Sequence, residues 1–320
     1  MQIVHLNFAA RGDDVATVQV LLSTYNGEKY VSDQIDSILK QSYHNIKLLV
    51  RDDGSTDNTV EILQFYRDQY PLNFQYYSGK NIGIVKSYLE LLNRADGTCE
   101  YFCFCDQDDI WLPDKVARAL DILQPCHTIP AMVCTSTHVT DESLRPLNIW
   151  PKPPSRGPSF YNAMVQNIAV GATVTLNQYA WRIISGKSVR PENIQMHDWW
   201  AYLCVSAFGK VFFDSKPSIL YRQHGNNSVG GETTFHKMLK RKWNSYKRHK
   251  GKRLLHKQAE EFFRTYGELL DEDKREQLLL FLKERETFKS RIAYLLKCKA
   301  YRNSPFEQLL FRLLILIGHI

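Results

Sequence analysis

A chain of 320 residues can form one large domain, or one domain with an appendage. With 44% hydrophobic and 12% aromatic residues it has ample material for a core, which sets aside a disordered or low-complexity chain. Forty-one Lys and Arg against 34 Asp and Glu give a net charge of +7, yet ten of the basic residues, and no acid, fall between Lys237 and Lys257. Without that segment the chain is slightly acidic, so the basic character is local and implies a local partner.

Residues 1–16 show no clear periodicity and form an expected N-terminal extension. Val18 to Ser23 is a strong first strand. Thr24-Tyr25-Asn26-Gly27 breaks it, and helical spacing resumes from Tyr30 to Gln41 through Ile35, Ile38 and Leu39. A second strand, Ile46 to Val50, runs into Arg51-Asp52-Asp53-Gly54. Ser55, Thr56, Asp57 and Asn58 then offer N-caps, with Glu61 as capping-box partner of Asn58 and with Ile62, Phe65 and Tyr66 as the buried face of the helix. A third strand, Phe74 to Tyr77, leads through Gly79 to Gly83 into a helix carrying Val85, Tyr88, Leu89 and Leu92. The aromatic run Tyr101 to Cys105 predicts a strand buried on both faces, and Pro113 opens a helix with Val116, Ala119, Leu120 and Leu123.

Strand, loop and helix thus alternate four times in about 125 residues, which predicts an α/β fold with a mostly parallel sheet. In such sheets ligands bind beyond the carboxyl ends of the strands. Thr24 to Glu28, Asp52 to Ser55 and Asp106 to Asp109 all fall at such ends and are expected to converge on one crevice. The last of these, Asp106-Gln107-Asp108-Asp109, puts three carboxylates in four positions. Like charges repel, so the stretch either gathers around a cation or forms a solvated acidic loop that opens a helix.

Farther on, residues 150–158 form a Pro-rich loop and Gly171 to Leu176 predicts another strand. Met196-His197-Asp198-Trp199-Trp200 opens an apolar helix to about Phe208, with Asp198 in its first turn. Short strands follow at Val211 to Phe213 and Ile219 to Arg222, the latter leading into Gln223-His224-Gly225-Asn226-Asn227. Beyond about residue 232 the pattern is all helical. On a helix from Phe235, the residues Phe235, Leu239, Trp243 and Tyr246 share a face, and Lys240, Arg241, Lys242, Lys247 and Arg248 cover much of the rest. Such a basic amphipathic helix suits an anionic membrane surface; no nucleic-acid-reading motif accompanies the charge. Phe306 to Ile320 is strongly apolar, too short to span a membrane but fit to dock or to form a homo-oligomer. Seven cysteines without a Cys-x-x-Cys pair lack zinc spacing and read as small core hydrophobes. No run approaches the roughly 20 apolar residues of a span, and no signal-peptide core opens the chain. The expected location is therefore cytoplasmic, peripheral at the inner face of the cell membrane.

Taken in order, VLLSTYNGEKY, VRDDGSTDNT, FCDQDDIW, MHDWW and LYRQHGNN resemble a family-2 inverting glycosyltransferase of the GT-A fold, most of all the bacterial rhamnosyltransferases of polysaccharide and O-antigen assembly, over about residues 17 to 230. The resemblance implies a catalytic domain at 17–231, with a Rossmann-like nucleotide-binding half, and a C-terminal helical region at 232–320. It implies that Thr24, Tyr25 and Glu28 line the nucleotide pocket and that Asp52 or Asp53 accepts the imide N–H of a uracil or thymine ring. The same resemblance implies that Asp106 lies near the ribose, that Asp108 ligates Mg²⁺ or Mn²⁺, and that Gly171 and Ala172 form part of the wall beside the transferred sugar. Asp198 is the implied catalytic base, Trp199 and Trp200 dry the site and face a sugar ring, His224 contacts metal or phosphate, and Arg222 adds charge to the diphosphate. The implied donor is dTDP-L-rhamnose and the implied acceptor a glycan or lipid-linked glycan. A UDP-hexose or UDP-N-acetylhexosamine donor is the alternative within enzymes, and a non-catalytic membrane-assembly subunit the alternative outside them.

Overall fold

The expected alternation is present in the computed structural model, which describes residues 15–224 and 253–319. It runs β1 (Val18–Thr24), α1 (Val31–Leu39), β2 (Ile46–Asp52), α2 (Thr59–Gln69), β3 (Phe74–Ser78), α3 (Ile84–Arg94), β4 (Tyr101–Cys105), β5 (Ile110–Trp111) and α4 (Lys115–Leu123). β1 pairs in parallel with β2 on one side and β4 on the other, and β2 pairs in parallel with β3. The connection from β3 to β4 therefore crosses over β1, and the winding direction reverses between β1 and β4. A crevice opens at such a reversal, outside the carboxyl ends of the two strands. β1 and β4 can occupy the centre because their apolar runs tolerate burial on both faces: Val18, Val20, Leu21, Leu22, Phe102 and Phe104 are wholly buried.

The second half adds β6 (Ala131–Thr135), β7 (Thr137–Thr140), β8 (Pro146–Trp150), α5 (Phe160–Ala163), β9 (Thr175–Asn177), α6 (Gln178–Ile184), α7 (His197–Phe208), β10 (Lys210–Asp214) and β11 (Ile219–Arg222). The central sheet has seven strands in the order β10-β6-β9-β4-β1-β2-β3, with β9 antiparallel to both neighbours. A second sheet, β5-β11-β7-β8, sits over the carboxyl end of β4 and carries Arg222.

Local readings are corrected in four places. Gly171–Thr173 is a 3₁₀ turn, because Thr173 returns both its N–H and its hydroxyl to the Val170 carbonyl; the paired strand is Thr175–Asn177. Ile110 and Trp111 pair with β11 rather than leading straight into a helix, and α4 starts at Lys115, two residues past Pro113. α2 buries Leu63 and Tyr66 and leaves Phe65 59% exposed. Its first turn is held by Asp57, which accepts from the Thr59 N–H, and by Glu28, which accepts from the Asn58 N–H, not by a capping box.

Four helices follow: α8 (Leu254–Tyr266), α9 (Glu272–Leu282), α10 (Phe288–Lys297) and α11 (Pro305–Leu316). They share the core of the sheet. One buried cluster runs from Leu21, Phe102 and Phe104 through Trp200 to Phe262, Tyr266, Phe281 and Phe311. The seven cysteines are free, six of them buried. Among the described residues no helix is long and apolar enough to cross a membrane. The expected basic helix from Phe235 through Arg248, with Gly225-Asn226-Asn227 and residues 1–14, lies outside the described residues.

Candidate active site

Three strand-end loops meet as expected, and side chain to backbone hydrogen bonds lock them together. Asn26, at φ 47°, accepts from the Thr56 N–H and donates its own N–H to Ser55. Gln107 closes the third side: its amide oxygen takes the Tyr25 N–H at 2.8 Å and its amide N–H reaches the Tyr25 carbonyl at 3.1 Å. The loops enclose a crevice of about 1040 Å³ lined by Thr24, Tyr25, Asp53, Asp106, Asp108 and Gly171 and by Asp198, Trp199 and His224. Nine of the fourteen site residues expected from sequence therefore face one space.

The other five do not line it, Ala172 being wholly buried in the core. Glu28 is spent on Asn58. Asp52 accepts from the Gly54 and Ser55 N–H groups and from the Thr24 hydroxyl, so it shapes the turn. Trp200 is wholly buried against Phe262, edge to face at 5.8 Å, and is a core residue rather than a sugar wall. Arg222 points inward. Its guanidinium donates to the Asp108 carbonyl, the Glu142 carbonyl and the Asp33 carboxylate, and lies over the Tyr30 ring. It braces the acidic loop from behind and does not reach into the crevice.

Asp53 is the acid of its pair that faces the ligand space, and it is held hard. Arg51, 2% exposed, donates to its Oδ1 at 2.5 Å, and the Ile82 and Gly83 N–H groups take Oδ1 and Oδ2. A carboxylate offers about four acceptor positions, so one remains on Oδ2. Breaking a buried pair from one side leaves an uncompensated charge. Arg51→Met is expected to lower the unfolding free energy by about 3–5 kcal/mol, read as a shift of the urea midpoint at unchanged slope.

The acids at the end of β4 press on one another. Asp106 takes the Tyr88 hydroxyl at 3.0 Å and is pushed up to about 7, first by burial and then by the charge of Asp108. Asp109 is buried, accepts from the Arg222 N–H, and is also driven well above the ordinary carboxylate range by burial and by its two neighbours. It serves the second sheet and not the helix start. Asp108 meets His224 Nε2 at 2.8 Å, which joins the acidic loop to the strand end of β11.

Asp198 stands apart, in the first turn of α7. Its Oδ1 accepts from the Trp199 N–H at 2.7 Å, and burial raises it to about 6 against the pull of that bond and of Asn167. Residue 171 is a glycine beside this pair: a Cβ there would press on His197, 2.9 Å from its Nε2, and would touch Asp198 Oδ2 at 3.7 Å. His197 stacks on Tyr88 at 3.6 Å and is held neutral, its pKa depressed by burial to about 3. His197, Asn167 and Trp150 also line the crevice, and none was singled out from sequence; no local pattern marks them.

An acidic mouth and a buried carboxyl line one crevice at the reversal point of a mostly parallel sheet, the place where α/β proteins bind their ligands. Residues 19–176 match the family described as glycosyl transferase family 2. Over 231 residues the chain is 32% identical to the dTDP-rhamnosyl transferase RfbG of Shigella flexneri, covering 69% of this chain and 77% of the relative. The chain belongs to glycosyl transferase family 2 and is a glycosyltransferase. It is also 27% identical over 231 residues to an Escherichia coli protein, UDP-Glc:alpha-D-GlcNAc-diphosphoundecaprenol beta-1,3-glucosyltransferase WfgD, covering 71% and 83% of the two chains. The fold matches residues 1–349 of S. aureus TarS in complex with UDP-GlcNAc, with TM-score 0.58 and 17% identity over 83% of this chain and 71% of that one.

Proposed function

We propose that the protein is a metal-dependent inverting glycosyltransferase that moves L-rhamnose from dTDP-L-rhamnose onto a hydroxyl of a lipid-linked cell-surface polysaccharide, at the cytoplasmic face of the membrane. The observation that carries the chemistry is that one crevice is lined both by Asp106 and Asp108, the latter bonded to His224, and by a further carboxyl, Asp198 beside Gly171. Asp198 takes the proton of the acceptor hydroxyl while that oxygen bonds to the anomeric carbon; the bond from that carbon to the diphosphate breaks, and its electron pair leaves with the diphosphate. One carboxyl is enough, because the leaving group is already a weak base.

Among the described residues no three His, Cys, Asp or Glu side chains form a metal cage. Asp108 and His224 fit a cation shared with a ligand, since Mg²⁺ in particular is held by one or two protein groups plus substrate phosphates. Mg²⁺ or Mn²⁺ held there would neutralise the diphosphate charge. Asp53, through its remaining acceptor position, suits the imide N–H of thymine. Trp199, its indole N–H tied to the Ala163 carbonyl, and Trp150 give the acceptor side an aromatic wall.

The donor assignment rests on the Shigella relative, and the E. coli relative supports UDP-glucose as a second reading. A thermal-shift panel with Mn²⁺ separates them. dTDP-L-rhamnose at a hundred times its Kd should stabilise by about 2.7 kcal/mol, and UDP-glucose at the same concentration by much less. A larger shift with UDP-glucose selects the second reading. No shift with any nucleotide sugar would leave the non-catalytic assembly subunit.

A further inference from the structure

Helices are expected to hide their apolar stripes, and α10 and α11 each hide only one of two. α10 buries Tyr294, and α11 buries Phe311 and Ile315, all in the common core. On α10 a second stripe at four-residue spacing, Phe288, Ile292 and Leu296, is 61, 39 and 81% exposed. On α11 the stripe Leu309, Leu313 and Ile317 is 58, 47 and 60% exposed. The two helices pack on each other, and Arg291 of α10 donates to the Leu316 carbonyl at the end of α11. Exposed apolar side chains that recur at helical spacing on two adjacent helices mark a docking surface.

The charge around the stripes names the occupant. Residues 288–319 carry six Lys or Arg and one acid, Glu307. Lys289, Lys297 and Arg312 are exposed on the same two helices. A second copy paired about a twofold axis would set this cationic surface against itself, with almost no acid to answer it. An anionic lipid surface answers both features, taking the apolar stripes among the acyl chains and the cations at the headgroups. Neither helix can cross a bilayer. We propose that α10 and α11 are a hairpin that lays the enzyme on an anionic membrane, independently of which sugar it transfers. The expected basic segment around residues 237–257 continues the same charge along the chain.

The test uses the full chain and co-sedimentation with vesicles of phosphatidylglycerol mixed with phosphatidylcholine, or of phosphatidylcholine alone. Wild type should pellet with the mixed vesicles and far less with the neutral ones. Leu309→Glu with Leu313→Glu, and separately Phe288→Glu with Leu296→Glu, should each lower the partition coefficient by at least about tenfold. Because the four positions face outward, the nucleotide-sugar thermal shift should be unchanged in both variants, which certifies the fold and keeps the catalytic reading separate. Unaltered partition in both variants overturns the hairpin and leaves any binding to other parts of the chain. Equal binding to both vesicle types overturns the headgroup role. A wild-type dimer that either variant converts to monomer, measured by light scattering, assigns the surface to a second copy instead.

Discussion

Asp198→Asn is expected to lower kcat by about 10³-fold while leaving the fold intact, within the range by which a positioned base contributes to proton transfer. The amide keeps the shape of the side chain and can still accept the Trp199 N–H through its oxygen, so the loss isolates the charge. Two further readouts separate a base from a structural residue. The deprotonated form is the active one, so wild-type kcat/KM should rise with pH through about 6, and that limb should vanish in the variant. The stability effect runs the other way. Burial lifts the carboxyl from its ordinary 3.8 to about 6, so the folded state holds the proton more tightly than the unfolded chain; the stability this contributes is fully present below the unfolded pKa and is lost as pH rises through the folded one. At pH 7 the wild type therefore carries an unfavourable buried charge, on the order of 1–3 kcal/mol, that the asparagine removes. An inactive and slightly more stable protein is the expected result. Near-normal transfer by a folded Asp198→Asn would take the role of base away from this residue.

Sequence made the frame of this site visible because the signals were local. β1, β2 and β4 are runs of apolar residues that end in polar turn formers, and the convergence of their ends follows from strand order alone. Asp106 and Asp108 were legible as a pair that must meet a cation or repel. Direction was not legible. Arg222 and Trp200 have the right chemistry for a diphosphate and a sugar ring, but α7 turns Trp200 onto Phe262, and β11 turns Arg222 behind the acidic loop. A motif gives the residue type; the twist of its element decides which side it serves. Asp52 and Asp53 could not be told apart for the same reason: only the paired strands show that Asp52 bonds to its own turn while Asp53 faces out against Arg51. The second sheet was not legible beyond the strand Ile219–Arg222, because its strands are short and paired over long sequence separations, as when Ile110 meets Leu220. His197 was hidden by its neighbour, since the Asp beside it carried the whole signal.

The acidic loop supports the second large expectation. Asp108→Asn should reduce kcat by about 10²–10³-fold, in the range of removing one group that stabilises developing charge. It should also abolish the added stabilisation that Mn²⁺ gives in the presence of a nucleoside diphosphate. The unliganded protein should not suffer. Asp108 is the second cause of the raised Asp106 pKa and also raises Asp109, so removing its charge relieves repulsion among buried acids and should lower the Asp106 pKa from about 7. His224→Ala breaks the same contact from the other side without touching that repulsion. The two variants should therefore agree in losing the cation effect and disagree in stability, with Asp108→Asn the more stable at pH 7. Chelation of the wild type should match both in activity. If turnover survives a chelator unchanged, Asp108 and His224 serve only to join the acidic loop to β11, and the repulsion at the end of β4 must be relieved by protons alone.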